Sequence, residues 1–218
     1  MFSGFSPAAA DFLWSLRFNN NKPWFDAHKQ EYLELLQTPF RALANEVHTE
    51  MNRRFPELNL NLHISRIYRD ARRLYGRGPM KDHLWFSLFC AADKNAAVPS
   101  FFFSFEPEGC YYGVGCGSAN MPKYRAAIRK DPAPLTALAE QFQKQEQFVL
   151  EGEMYVRSKG DVGPLLQPWF DRKRLSLCCS RQHDQRSGSP ELKQDILAGF
   201  SFLRPYYSYW LKIAQQAE

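Results

Sequence analysis

The sequence predicts an α+β fold in which a central, mostly antiparallel sheet is covered by N-terminal and C-terminal helices. Three observations support this prediction. Apolar residues recur at helical spacing in the first 54 residues, strict apolar–polar alternation begins at Leu58, and helical spacing returns after residue 120. Consecutive strands between two groups of helices are typical of α+β domains.

The N-terminal helices are predicted from their apolar stripes. One stripe covers residues 7–19, and a second helix begins near Pro23. The pair Thr38-Pro39 either breaks this helix or begins a new one, because proline lacks the N–H and clashes with the preceding turn, yet fits a first turn. The stripe then continues to about Arg54.

The predicted strands follow in sequence. Alternation from Leu58 to Ile64 indicates a half-buried strand that runs into Tyr68. Aromatic or β-favouring segments with turn residues between them, including Asp93-Lys94-Asn95, predict an antiparallel meander. Its strands are expected at residues 83–91, 100–105 and 110–114, and another strand at 148–158. Helices are expected at 120–145, interrupted at Asp131-Pro132, and from Ser189 onward with a kink at Pro205.

Composition sets the broad class. The chain has 218 residues, 44% of them hydrophobic, which suits a single domain over residues 1–218. There is no signal-peptide pattern and no apolar run of about 20 residues, so we expect a cytoplasmic protein without a membrane segment. The five cysteines are an odd number and are expected to be reduced thiols. The net charge of +5 permits an anionic partner.

Much of the positive charge lies between residues 63 and 84. Six Lys/Arg residues and two Asp residues give this segment a net charge of +4. In an extended chain Arg66 and Tyr68 point one way and Ile67 and Arg69 the other. The planar guanidinium group matches phosphate and carboxylate groups, so Arg66, Arg69 and Lys81 are candidate ligands for an anion. A solvated basic loop, with Asp70 pairing an arginine, is the alternative.

Two further residues are candidates for the same site. Trp24 and His28 are one helical turn apart and share a face, so they could line a pocket, although a packed tryptophan beside a hydrogen-bonded histidine is the commoner arrangement. His28 or Asp70 is the candidate acid or base. The histidines lack neighbours in metal-ligand spacing, so no metal site is predicted, and the sequence identifies no cofactor.

The residues Phe12-Leu13, Asn19-Asn20, Trp24-Phe25, His28-Lys29 and Tyr32, followed by Arg66-Ile67-Tyr68-Arg69-Asp70-Ala71-Arg72, resemble a family known as domain of unknown function 2461. Pro79-Met80-Lys81 and Arg125-x-x-Ile128 match further elements, with Met80 where the family carries tyrosine. The resemblance spans most of the chain. It implies an α+β fold and a pocket near Trp24, Arg66, Arg69, Asp70 and Lys81, and it implies no activity.

Three functions follow as hypotheses. The leading one is a pocket for a small anionic ligand bearing phosphate or carboxylate, with Arg66, Arg69 and Lys81 holding the anion and Trp24 as a wall, in an enzyme or a non-catalytic binder. The second is a nucleic-acid-binding module that uses Arg72, Arg73, Arg77, Arg172, Lys173 and Arg174. The third is a non-catalytic protein-interaction scaffold with an exposed apolar patch from the aromatic C-terminal segment. The sequence leaves the oligomeric state open.

Overall fold

The computed structural model describes residues 1–74, 76–90 and 98–216, and for Arg73 the backbone alone. The predicted turn at residues 93–95 lies outside this range. The α-helices are α1 (Pro7–Phe18), α2 (Lys22–Ala27), α3 (Lys29–Tyr32), α4 (Thr38–Arg54), α5 (Met121–Lys130), α6 (Ala133–Phe142), α7 (Gln167–Phe170) and α8 (Glu191–Gln215). The strands are β1 (Leu60–Ile64), β2 (Leu84–Cys90), β3 (Ser100–Glu106), β4 (Gly109–Cys116), β5 (Val149–Glu151) and β6 (Leu175–Gln182).

The six strands form one antiparallel sheet in the order β1-β2-β3-β4-β6-β5. The first four neighbour each other in chain order, as the meander prediction requires. At the far edge β5 pairs with β6, with Leu150 opposite Leu177. Helices α1–α4 precede the strands, α5–α7 lie between β4 and β6 in the chain, and α8 follows β6, which confirms the predicted α+β class. Within the described ranges, no helix has the length and apolar character needed to cross a membrane.

The predicted break at Thr38-Pro39 takes a different form. The chain remains helical from Lys29 to Arg54, but residues Leu33–Gln37 form one π-helical segment before α4 begins. Pro39 lies in the first turn of α4, where a missing N–H costs little. The wider π turn thus absorbs the proline without interrupting the helical path, and π-helical segments often mark functional sites.

Gly113, inside β4, has a packing role. A Cβ atom on Gly113 would lie 2.0 Å from the backbone oxygen of Leu177 on β6. Only glycine therefore allows β4 to approach its neighbour so closely at this point.

Contacts divide the chain into two compact units, while the single-domain organisation stays a prediction. Unit 1 comprises Met1–Leu88, Phe103–Tyr112 and Ser180–Ala198. Its core is built from phenylalanines: Phe40 lies 5.8 Å from Phe86 and 6.0 Å from Phe103 between ring centres, and all three are at most 1% exposed. These rings fill the space between α4 and the strand residues of this unit.

Unit 2 comprises Phe89–Phe102, Gly113–Cys179 and Gly199–Glu218. Phe101 stacks on Tyr207 at 4.6 Å, and Trp169 stacks on Tyr206 at 6.1 Å. Pro205 lies inside α8, which runs through it as one helix. The aromatic C-terminal residues Tyr206, Tyr207 and Trp210 are buried, so they do not provide the exposed patch that the scaffold hypothesis assigned to this segment.

Candidate functional site

The arginine-rich segment lies in unit 1, where a short backbone ladder holds it. The N–H of Arg69 donates to the carbonyl of Pro79 at 2.8 Å, and the N–H of Lys81 donates to the carbonyl of Ile67 at 2.7 Å. Tyr68 and Met80 form the bridge between these bonds. Ile67 is buried and Arg69 is partly buried, whereas Arg66 and Tyr68 are exposed. The alternation predicted from the sequence is therefore present.

Asn20 fastens this ladder to the turn after α1. Its side-chain amide donates to the carbonyl of Met80, and its side-chain oxygen accepts from the N–H of Met80, both at 2.9 Å. A Cβ atom on Gly78 would lie 2.3 Å from the Asn20 side chain. The glycine makes room for the asparagine, and the two hydrogen bonds fix where the segment carrying Arg66 and Tyr68 lies.

The exposed side of this segment lines a pocket of about 280 Å³. The opposite wall comes from the helical path of residues 25–41. Its floor is apolar, since Phe25, Phe40, Ile67 and Leu84 are each at most 4% exposed. This volume lies near the lower end of the range of roughly 300–1,000 Å³ found for small-molecule sites, so the pocket suits a small metabolite.

Tyr32 supplies a buried polar group to the pocket lining. Its side chain is buried, and burial raises the pKa of its phenol to about 12, although a hydrogen bond with Gln37 and the charge of Arg41 act in the opposite direction. The phenol is therefore neutral at physiological pH and can donate a hydrogen bond. The hydroxyl-bearing Tyr68 stands beside it, with its ring edge-on to Phe25 at 5.5 Å.

Three cations rim the pocket: Lys29, Arg41 and Arg66. Their side chains are exposed, and none of them forms an ion pair or a side-chain hydrogen bond with any residue in the described part of the chain. No carboxylate is among the described residues that line the pocket. The rim is thus a concentration of positive charge without a local counter-ion, placed above an apolar floor.

Two other predicted anion ligands have protein partners. The Arg69 guanidinium donates from Nε to the carbonyl of Met80 at 3.0 Å and lies 3.7 Å from the Asp82 carboxylate. Lys81 donates to the carbonyl of Arg66 at 2.7 Å, and burial, with the charge of Arg69, lowers the pKa of its ammonium. Neither Arg69 nor Lys81 lines the pocket. Their contacts instead hold the ladder in place.

Trp24 and His28 lie on a different groove. Their rings stack at 4.1 Å, and the Nδ1 atom of His28 lies 2.8 Å from the carbonyl of Trp24. This groove also contains Asp11 and Glu31. Two carboxylates make it unfavourable for an anion, and the stacked ring beside a hydrogen-bonded histidine is the packing arrangement that the sequence left as the alternative.

Asp70 has a local structural role. Its carboxylate accepts a hydrogen bond from the N–H of Arg72 at 3.0 Å, which caps the 3₁₀ turn Ala71–Arg73, and it also pairs with the Arg72 guanidinium at 2.9 Å. Asp70 is not among the residues that line the pocket. Of the six candidate residues, the structure therefore places only Arg66 at the cation-rimmed pocket.

Sequence reasoning missed Lys29, Tyr32, Gln37 and Arg41. A signal for three of them was present, because Lys29, Gln37 and Arg41 belong with Leu33 to a series at intervals of four, which places long polar side chains along one side of a helix. Tyr32 lies outside this series. The predicted break at Pro39 separated the first three from Arg41. The π-helical segment keeps all four on the wall of one pocket.

The fold and the pocket define a class: an α+β protein with a small apolar pocket rimmed by cations. The chain belongs to the family described as "Conserved hypothetical protein (DUF2461)", whose model matches residues 8–209. This match confirms the resemblance noted in the sequence. No curated protein matches the chain.

Proposed function

We propose that this protein binds a small anionic ligand, bearing a phosphate or carboxylate and an apolar body, in the pocket between residues 25–41 and residues 64–68. The proposal keeps the ligand class expected from the sequence and moves the site. The observation that supports it is the charge of the lining: Lys29, Arg41 and Arg66 meet there, and the described lining contributes no carboxylate.

The ligand would contact two parts of the pocket, the cationic rim and the apolar floor. Its anionic group would lie at the rim, where two guanidinium groups offer paired N–H donors to planar or tetrahedral oxyanions. Its apolar body would lie on Phe25, Phe40 and Leu84, which are at most 2% exposed. Tyr32 would donate a hydrogen bond to a polar atom of the ligand, since burial keeps the phenol neutral.

Binding alone is the function that these residues support. The two acid–base candidates from the sequence, His28 and Asp70, lie outside the pocket lining. Tyr32, with a pKa of about 12, is a hydrogen-bond donor and a poor base at neutral pH. The geometry therefore favours recognition of an anion, and the proposal includes no reaction.

A thermal-shift experiment tests the proposal with phenyl phosphate, benzoate and inorganic phosphate, and with neutral phenol as the comparison. A ligand at 100 times its dissociation constant stabilises the folded protein by about 2.7 kcal/mol. For a chain of this size that corresponds to an increase in Tm of roughly 5–11 °C. We expect a shift with an anionic aromatic ligand and none with phenol.

Two variants locate the site. Arg41→Gln and Arg66→Gln remove rim charges that have no ion-pair partner among the described residues, so the unliganded protein should keep its stability while losing the ligand-induced shift. Arg53→Gln is the matched control, because Arg53 is 71% exposed and pairs with Glu50 away from the pocket. A shift that survives both rim substitutions, or the absence of a shift with every anion in the series, would overturn the proposal.

A further inference from the structure

A second cationic surface lies in unit 2, around Tyr155. Residues 121–131 and 149–174 contain nine Lys/Arg and five Asp/Glu, so they hold +4 of the net charge of +5. The charge is not spread evenly. Three cations surround the Tyr155 ring: Lys159 Nζ lies 4.2 Å, Arg125 Cζ 5.4 Å and Lys173 Nζ 5.8 Å from the ring centre.

Backbone carbonyls, which are neutral, hold three arginines of this surface. Arg125 donates to the carbonyl of Arg172 at 3.3 Å, and Arg172 donates to the carbonyls of Pro168 and Gly152. Arg129, packed over Phe170 at 4.9 Å, donates to the carbonyl of Lys159 at 2.6 Å. A carbonyl orients a guanidinium group without cancelling its charge, so the field of these cations reaches solvent.

The acidic groups nearby neutralise only part of this charge. Glu153 pairs with Lys173, and Glu151 attracts Arg172. Asp171 is buried, and its oxygens accept hydrogen bonds from the N–H of Lys159, the amide of Gln167 and the hydroxyl of Ser158. Asp171 therefore acts as an internal strut for this loop, and its charge also attracts Arg125. In the described part of unit 2 no carboxylate forms an ion pair within 4 Å with Arg125, Arg129 or Lys159.

We propose that the Tyr155 ring and the cations around it, Arg125, Arg129, Lys159 and Arg172, bind single-stranded nucleic acid. A base would stack on Tyr155, and the flanking phosphates would contact the guanidinium and ammonium groups. A ring among cations is the combination that binds single strands without sequence preference, because every base has a stacking face and every nucleotide a phosphate.

The strength of the contacts makes this exchange favourable. Lys159 is exposed, and a cation–π contact at an exposed site changes an equilibrium constant by about two- to fivefold. Base–aromatic stacking contributes about five- to 150-fold. A base can therefore displace the Lys159 ammonium from the ring, and the released ammonium can bind the adjacent phosphate.

This site differs from the pocket of the proposed function in its residues and in its ligand. The pocket has an apolar floor and a volume of about 280 Å³, whereas the Tyr155 surface displays charge around one ring. A membrane of anionic lipid is the competing partner for a basic surface here, because Met154 and Val156 beside Tyr155 are 47% and 104% exposed. The ring among cations favours the nucleic acid, and the experiment separates the two.

The test is fluorescence anisotropy of a labelled 12-nucleotide oligodeoxythymidine with the full chain, from 50 to 200 mM salt. Binding should weaken with salt, with a log–log slope of about 0.7 for each phosphate contact. The double variant Arg125→Gln/Lys159→Gln should lower that slope by about 1.4. Tyr155→Leu should weaken binding about fivefold or more, and Tyr155→Phe, which keeps the ring, should bind like the wild type.

Controls distinguish this proposal from the pocket. Arg66→Gln and Arg53→Gln should leave oligonucleotide binding unchanged, and the double variant should leave the phenyl phosphate shift unchanged. Circular dichroism tests whether each variant is folded. If Tyr155→Leu is not folded, the salt dependence of the double variant Arg125→Gln/Lys159→Gln decides between the outcomes. Three results would overturn the proposal. The first is no oligonucleotide binding at 50 mM salt, and the second is displacement of the labelled oligonucleotide by polyglutamate as effectively as by unlabelled oligonucleotide. The third is that the protein binds phosphatidylserine vesicles but does not bind the oligonucleotide.

Discussion

Asp82 joins the arginine-rich segment to α1, and its charge can be removed by the substitution Asp82→Asn. The Asp82 carboxylate accepts a hydrogen bond from Nε of Arg17 at 2.5 Å and lies 3.7 Å from the Arg69 guanidinium. Arg69 is only 15% exposed. Asparagine has the same shape and keeps one oxygen acceptor for Arg17, so the substitution removes the charge and turns the second acceptor into a donor.

The expected loss follows from these contacts. A hydrogen bond to a charged group contributes about 1.5–3 kcal/mol and one between neutral groups about 0.5–1.5 kcal/mol, so removing the charge should cost about 1–1.5 kcal/mol. Leaving Arg69 without its counter-charge adds a smaller amount, because this guanidinium still donates to Met80. A total near 1.5 kcal/mol lowers the Tm of a chain of this size by roughly 3–6 °C.

The pH dependence has a defined sign. Burial raises the pKa of Asp82, but hydrogen bonds from Arg17 and His83 lower it by more, so the pKa in the folded protein lies below its usual value. The stabilisation from the charged form is then complete above the unfolded-state pKa of about 3.9 and is lost as the pH falls through the folded-state pKa. The difference between the wild type and Asp82→Asn should be constant from about pH 5 to 7 and should shrink at lower pH.

Urea unfolding at pH 7 and at pH 3 measures both effects, because the loss occurs below the unfolded-state pKa of about 3.9. Arg53→Gln is the control for an exposed ion pair, and it should change the free energy of unfolding little. If Asp82→Asn unfolds at the wild-type urea concentration at pH 7, the network contributes no stability and Arg69 is available for another role. A difference that grows toward low pH would contradict the assigned pKa direction.

Three further outcomes are expected. Gly113→Ala would place a Cβ atom 2.0 Å from the Leu177 oxygen, so urea unfolding should show a loss of about 1–3 kcal/mol or more, and an unchanged midpoint would contradict the close approach. Burial raises the pKa of Cys110 to about 12 and that of Cys116 to about 11, so mass spectrometry should find both thiols unlabelled by iodoacetamide at pH 8 until the protein is unfolded; labelling of the folded protein would show that they are accessible. Glu153→Gln removes the carboxylate paired with Lys173 and should strengthen oligonucleotide binding, whereas weaker binding would mean that Glu153 positions the lysine.

The elements that sequence analysis located well have strong internal periodicity. Strict alternation predicted β1, and the apolar stripe of residues 7–19 predicted α1. In each element one face is buried and the other is not, so the apolar residues recur with the period of the secondary structure. The short β5 and α7 were harder, since three or four residues are too few to show a period. Their positions depend on tertiary partners, such as the pairing of Leu150 with Leu177.

The sequence predicted only part of the candidate site, and the reason is physical. Alternation correctly placed Arg66 and Tyr68 on one side, but it could not show which arginines already have protein partners. Arg69 and Asp82 are 13 positions apart in the chain, and Asn20 contacts Met80 across 60 positions. Such long-range pairings decide which charges are free to meet a ligand, and one sequence contains no direct signal for them.

The π-helical segment Leu33–Gln37 joins two parts of the pocket wall, one carrying Lys29 and Tyr32 and the other carrying Arg41. It fixes the angle by which one part is rotated about the helix axis relative to the other. Each residue in an α-helix advances by about 100°, so deleting Leu35 to restore a regular helix would rotate Lys29 and Tyr32 by about that angle relative to Arg41. Both halves would remain helical while facing different directions. The length of this one segment therefore sets the composition of the pocket, and a relative one residue shorter here would share the fold but present a different set of side chains to its ligand.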